Sequence, residues 1–510
     1  MTAFPNEHFR SGDFRSRIAH EEFSWSPWRA AVFAMLGLSS LTTAHAADDW
    51  TIVGTVLAPG GLIPDGAISV SKEMITAVGS SATIPSSSSA IKVPGVILPG
   101  FIDLHNHLTW NVLPRWVPAR KFNNRYEWQD TAEYDRALVA PHNIVLAEAA
   151  CETEIYAEVK AIVGGATSVL GGLLKDTKHP DNAKCVAGLT RNLDTASGLP
   201  FTAPTDQPTD KVCPTDSAID RTLLDVVENE IFPMELMHGR MDFLLCELST
   251  GTLRGMVVHL SEGATTDSAA HREYNMLSKE VLLQKDGKTP IEREGLVLIH
   301  GTALRDQDFL GMKNSKVGLI WSPRSNDELY GSTVNIASAH QAGINIAIAP
   351  DWSPSGSAGM LQEMGYAARH YGVNSGDLVA MATSMPAKMA RISDYIGALA
   401  PSKLADFVVI NVAVDPTKSN PLDPVVRATP ADVALVVVGG QPLYGDPALL
   451  TQLLPTGTKI DQMIVCGAQK ALYLGQSEAG VRGWGIADIK KALNAALAKG
   501  SSSLPDIECN

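Results

Sequence analysis

The sequence is short of several things. It has no apolar run near the roughly 20 residues that a membrane-spanning helix needs. The run at residues 30–38 (AAVFAMLGL) is too short for that. No C-x-x-C occurs among the six cysteines, which excludes a cysteine zinc cluster. No G-x-G-x-x-G follows the first strand of the long middle region, so the chain lacks the dinucleotide-binding fingerprint. Positive charge is scarce: 41 Lys and Arg stand against 55 Asp and Glu, for a net charge of −14. Such a surface repels phosphate backbones, and nucleic acid is not an expected partner. With 45% hydrophobic residues in 510, the chain has enough apolar material for one large core and a smaller companion domain.

What is present begins with an export signature. Arg29 precedes the short apolar run, and Ala44-His45-Ala46 offers an A-x-A cleavage site. Residues 1–46 therefore read as a secretion signal. The mature protein is expected outside the cytosol, periplasmic or secreted, without stable membrane insertion. An even cysteine count then permits disulfides. Cys185 and Cys213 bracket a Pro/Thr/Asp-rich stretch and form the first expected pair. Cys466 and Cys509 are expected to tie down the C-terminal tail. Cys151 and Cys246, in apolar surroundings, are expected as free thiols.

Short apolar runs alternate with turn signals over residues 50–98, and the same texture returns at 405–410 and 433–438. The expectation is a small β-sandwich built from both ends of the chain, residues 47–98 and 400–446. Between them, at 99–399, fully apolar runs of four to six residues alternate with longer amphipathic stretches. That pattern predicts a parallel sheet, and its length predicts closure as an α/β (TIM) barrel of eight strands. Residues 447–510 extend beyond it, with helical periodicity at 486–497.

The chemistry gathers at strand ends. His105 and His107 follow the apolar run 96–104; at i and i+2 both imidazoles can face one side. His259 and His300 each end an apolar run, and Asp351 follows another. Catalytic groups on barrels collect at that C-terminal face. Imidazoles with a carboxylate suit Zn²⁺ or a similar divalent ion.

At this point the chain resembles the amidohydrolase superfamily, in its branch of triazine and nucleobase aminohydrolases. The matching motifs are residues 99–107 (PGFIDLHNH), 164–169 (GGATSV), 259–262 (HLSE), 299–301 (IHG), 322–326 (SPRSN), 349–352 (APDW), 397–410 and 438–444. The resemblance implies that His105, His107, His259 and Asp351 ligate one metal ion. It implies that Glu262 shuttles protons to a leaving nitrogen, and that His300 polarises the target group or orients the attacking water. Two-ion members carry a lysine on the fourth strand. Residues 243–247, read here as that strand, contain none. Arg324 and Asn326 are expected to fork onto a substrate carbonyl, ring nitrogen or carboxylate. Trp110 opens an aromatic-rich loop, 110–130, expected to overhang the site as a stacking surface or lid, or to serve as an oligomer contact.

The expected activity is hydrolysis of a non-peptide C–N bond in a small molecule: deamination of an N-heterocycle, or cleavage of a cyclic or linear amide. The alternatives are an exported dipeptidase, N-acyl amino acid or urea/carbamate hydrolase, and a non-catalytic binding protein on the same barrel. A homo-oligomer is compatible with all of them. Two features depart from the type: the export signal, and an insertion-like stretch at 175–216.

Overall fold

A computed structural model describes residues 49–84, 90–171, 226–231, 233–475 and 477–509, together with 185, 189–194, 199–200 and 213. The secretion-signal expectation at 1–46 and most of the 175–216 stretch lie outside these residues. No described helix is long and apolar enough to cross a membrane.

Four strands near the start, β1 (Asp49–Ala58), β2 (Gly61–Ser71), β3 (Met74–Ser80) and β4 (Ile91–Pro99), join five from the end. Those are β13 (Phe407–Ile410), β14 (Val433–Val438), β15 (Gln441–Gly445), β16 (Asp461–Val465) and β17 (Ala468–Leu472). All nine share one sheet in the order β16-β17-β15-β14-β13-β4-β1-β2-β3. The seam between the two ends is antiparallel, with Leu98 opposite Val408. Residues 447–510 thus add two strands to this sheet. Their helix, Ile486–Lys499, packs along helix Ala140–Val163 of the middle region.

The chain leaves the sheet at Gly100, where a Cβ would stand 2.1 Å from Thr167 Oγ1, so only glycine fits. It then enters β5 (Phe101–Asp103), β6 (Ala166–Val169) and β7 (Arg191–Asn192), one parallel sheet. A second parallel sheet holds β8 (Val227–Glu230), β9 (Gly255–Leu260), β10 (Leu296–His300), β11 (Gly318–Trp321) and β12 (Ile346–Ile348). Backbone hydrogen bonds join the two at both edges. Val227 N–H donates to Leu193 at 3.1 Å, and His107 N–H donates to Asp351 at 2.9 Å. The eight parallel strands so enclose one apolar cluster that includes Ile102, Leu193, Val257, Val297, Ile299, Ile320, Ala347 and Ala349. Branched residues from successive strands filling the interior are what a closed α/β barrel requires.

Two readings are corrected here. Residues 243–247 lie in helix Met241–Thr250, and the fourth barrel strand is β8, whose sequence is Val-Glu-Asn-Glu. Parallel strands usually read as apolar runs; β7 and β8 are short and polar, so an apolar-run criterion passes over them. The cysteines also pair differently. Cys151 bridges Cys185 and Cys213 bridges Cys246, at Cα separations of 4.9 and 5.5 Å. Cys151 and Cys246 sit on the half-buried sides of two helices rather than in the apolar interior. The Pro/Thr/Asp-rich stretch is therefore stapled to flanking helices and not to itself. Cys466 does pair with Cys509.

Helix Ala140–Val163 carries a buried acid, Glu158, whose Oε2 accepts from the Leu189 and Thr190 N–H groups at 3.2 Å. Burial raises its pKa from 4.5 to about 8, against the pull of those donors. A carboxyl held neutral in the folded chain favours folding fully below its unfolded pKa. That advantage is lost as pH rises through about 8. Wild-type stability should fall between pH 5 and 8 by on the order of 4 kcal/mol from this group. Glu158→Gln should flatten that fall in urea titrations at the two pH values; an unchanged slope would assign the pH dependence elsewhere.

Candidate active site

The predicted strand-end residues converge. On β9, Val257 belongs to the barrel interior, so His259, two residues on, faces the same way. Ala347, Ala349 and Asp351 continue one parity in the same manner. His300 follows the interior residue Ile299 and would point outward. A left-handed backbone at His300 (φ 65°) turns it back, and Ser261 (φ 54°) and Asp351 (φ 69°) share that conformation. Three non-glycine residues held there at the ends of β9, β10 and β12 mark local strain of the kind found at functional sites.

His259 Nε2 lies 3.1 Å from His105 Nε2 and 3.3 Å from His107 Nε2. Asp351 Oδ1 is 3.2 Å from His105 Nε2 and 3.5 Å from His107 Nε2. Three of the rings, and the carboxylate, are held from behind. His259 Nδ1–H donates to the Glu230 carbonyl at 3.1 Å, which leaves its Nε2 as a bare acceptor. His105 Nδ1 meets Ser322 Oγ at 3.0 Å. His300 Nδ1–H donates to Asn326 Oδ1 at 2.9 Å. Ser325 Oγ–H donates to Asp351 Oδ2 at 2.6 Å. Burial holds the imidazoles of His105, His259 and His300 below the ordinary histidine range and pushes His107 down to about 4. Burial drives the Asp351 carboxyl well above its ordinary value, against the Ser325 hydrogen bond.

Neutral imidazole lone pairs and a carboxylate oxygen packed this closely repel one another unless a cation lies between them. Ligands at about 2.0–2.2 Å around a four-coordinate zinc stand about 3.3 Å apart, which matches the 3.1–3.5 Å spacing. The donor set, its spacing and its backing hydrogen bonds fit a divalent ion. His300 is also within reach of this group: its ligand atom and those of His105 and His259 lie within 4.8 Å of one another.

Glu262, buried, lies beside the ligands. Its Oε2 is 3.8 Å from His300 Nε2 and 3.8 Å from Arg125 Nη1. Tyr330 donates its hydroxyl hydrogen to Glu262 Oε1 at 2.5 Å and accepts from Trp128 Nε1 at 2.9 Å. The groups open on a cavity of about 220 Å³, walled by Trp110, Trp128, Tyr134 and Trp352, with Ile231 and Leu329. Trp110 stacks on buried His142, their ring centroids 3.7 Å apart.

The structure places neither Arg324 nor Asn326 in the cavity wall. Both lie on helix Pro323–Tyr330, where residues two apart are turned about 200° from each other. Arg324 faces outward to Glu508, at 3.2 Å, while Asn326 faces inward to His300. Sequence reading did not single out Arg125, Trp128, Tyr330 or Trp352. For Tyr330 a signal existed: residues 322, 325, 326, 329 and 330 repeat at helical spacing.

Residues 256–443 match the family model described as the amidohydrolase family. The 5-methylthioadenosine/S-adenosylhomocysteine deaminase of Teredinibacter turnerae is 31% identical over 150 residues, covering 26% of this chain and 34% of that protein. The 5'-deoxyadenosine deaminase of Methanothermobacter thermautotrophicus is 28% identical over 202 residues, covering 38% and 46%. The chain thus spans less than half the length of these curated relatives. Among solved structures, a zinc-bound adenosine deaminase from Xanthomonas campestris superposes with TM-score 0.57 at 18% identity, over 80% of this chain and 94% of that one. Atrazine chlorohydrolase TrzN from Arthrobacter aurescens, complexed with zinc, gives 0.54 at 17%, over 77% and 94%. These two likenesses are of fold.

Proposed function

We propose that this chain, whose residues 256–443 match the amidohydrolase family model, is a metal-dependent hydrolase of non-peptide C–N bonds, acting on a heteroaromatic amine by deamination. The observation that carries the reading is the placement of the Glu262 carboxyl beside the four-ligand set, at the floor of a cavity walled by flat aromatic rings. His105, His107, His259 and Asp351 hold one divalent ion, zinc or iron. When bound, that ion lowers the pKa of a water from about 15.7 towards about 7 and supplies hydroxide at neutral pH.

The chain's own groups do the rest. Trp110, Trp128 and Trp352 hold a planar substrate by its faces and keep bulk water out. Asp351 and Glu262 take the water proton, and Glu262 returns a proton to the departing nitrogen. Tyr330 and Arg125 fix the Glu262 carboxyl so that its Oε2 faces the reacting centre. With Nδ1–H committed to Asn326, His300 presents Nε2 as an acceptor. Its role is therefore to orient the attacking water rather than to donate a hydrogen bond to the target group.

Three further readings belong here. The nine-stranded sheet folds over as the small β-sandwich companion of the barrel. The chain is exported, a reading supported by three disulfides, which persist in oxidising compartments. One ion rather than two binds, since β8 offers no lysine.

The test is a turnover panel on zinc-loaded full-length protein. Ammonia should be released from at least one aminopurine, aminopyrimidine or aminotriazine. Turnover confined to aryl amides or ureas would move the assignment to amide hydrolysis, and turnover confined to dipeptides or N-acyl amino acids would replace it.

A further inference from the structure

We infer that the C-terminal tail is part of the working site, with Glu508 a positioning residue that acts through Arg324 and Arg115; the inference rests on the site proposed above. Helix Pro323–Tyr330 is the hub. Its Ser325, Asn326 and Tyr330 hold Asp351, His300 and Glu262 respectively, and Ser322 just before it holds His105. Four of the groups that would do the chemistry are thus aimed by one nine-residue stretch. Arg324 projects from the outer side of its first turn, and Arg324 Nη1 pairs with Glu508 Oε2 at 3.2 Å.

The same carboxylate reaches a second segment. Glu508 Oε1 lies 3.6 Å from Arg115 Nη1. That guanidinium donates to the Gly356 carbonyl at 2.6 Å and the Ser355 carbonyl at 3.3 Å. Ser355 Oγ touches Ser325 Oγ at 2.8 Å and accepts from Trp352 Nε1 at 2.5 Å. One carboxylate therefore spans the two guanidiniums that pin the segments on either side of Asp351. Gln362 Nε2 donates to the Glu508 carbonyl at 2.9 Å, and the Cys466–Cys509 bridge fastens the adjacent residue to the turn after β16. The tail is held at three kinds of contact, covalent, backbone and ionic, all converging on Glu508.

Removing the charge leaves Arg324 and Arg115 facing each other, offset by Glu328, 3.6 Å from Arg115 Nη2, and by buried Glu363, which accepts from the Arg324 backbone N–H at 3.1 Å. The expected consequence is looser aim of Asp351, His300 and Glu262 rather than loss of the ion, because His107 and His259 are not held by this helix and His259 stays backed by the Glu230 carbonyl. Couplings of this kind are typically worth a few-fold to about thirtyfold.

The experiment compares zinc-loaded wild type with Glu508→Gln, Glu508→Asp and the Cys466→Ala/Cys509→Ala double variant. It measures hydrogen exchange of segments 323–330 and 353–356, zinc per chain, and kcat and KM separately. Expected are faster exchange of both segments in Glu508→Gln and in the double variant, with zinc retained. In Glu508→Gln, kcat should fall about three- to thirtyfold with KM within about twofold. Glu508→Asp should recover part of both effects. Unchanged exchange in Glu508→Gln overturns the inference, whatever the activity. Faster exchange with unaltered kcat would make Glu508 a structural anchor only and overturns its positioning role. The exchange measurement needs no substrate, so a failed turnover panel and a failed role for the tail remain separate results.

Discussion

Glu262→Gln should lower kcat by about 1,000-fold and leave one metal ion per chain. General acid–base groups contribute about 10²- to 10⁴-fold, and Glu262 is asked both to take a proton from water and to give one to nitrogen. The amide keeps the size and shape of the acid. Its oxygen can still accept from Tyr330, whose hydroxyl hydrogen lies towards Glu262 Oε1 at 2.5 Å. The shortest contacts among the ligand atoms, 3.1–3.5 Å, involve only His105, His107, His259 and Asp351. Metal content and thermal midpoint should therefore stay close to wild type. Elemental analysis beside steady-state kinetics checks both halves. A residual kcat within tenfold of wild type would remove Glu262 from the proton path, and a lost ion would make it a ligand.

Stripping the ion should abolish turnover and destabilise the fold together. Without a cation, the His259 Nε2 lone pair faces two other imidazole nitrogens in a buried setting, a cost that burial away from water enlarges. A ligand present at about 1,000 times its Kd stabilises by about 4 kcal/mol. A chelator should thus lower the melting temperature by several degrees, and one equivalent of zinc should restore both the midpoint and the rate. An apoprotein with the midpoint of the loaded form would mean that the four groups hold no ion, and the hydrolase reading would fall with them.

How much of this the sequence disclosed depends on what each residue follows. His105, His259, His300 and Asp351 were legible because each ends an apolar run, and such runs become barrel strands. β7 and β8 were not, because Arg-Asn and Val-Glu-Asn-Glu carry no apolar run. The residues that aim the ligands were hidden for another reason. Without its helical phase, the segment at 322–326 suggested Arg324 and Asn326 as a matched pair. Read as a helix, the spacing of Ser322, Ser325, Asn326, Leu329 and Tyr330 marks one inward face and sends Arg324 the other way. Arg125 had no local signal. Its value lies in partners far along the chain, Glu262 and Glu273. The Cys151–Cys185 and Cys213–Cys246 pairs were equally non-local, since cysteine count and neighbourhood do not encode which helix a loop returns to.

The seam between the two ends of the chain also sets a timetable for biosynthesis. Leu98 in β4 pairs with Val408 in β13, three hundred or so residues later on the ribosome. At about 5–20 residues per second, the hydrophobic edge of β4 waits roughly 15–60 seconds for its neighbour. During that interval a nascent chain presents an unsatisfied strand to its surroundings, a template for aberrant association. Yield in cells should consequently respond to chaperone supply and to translation speed across the barrel segment more than to substitutions within the strand itself.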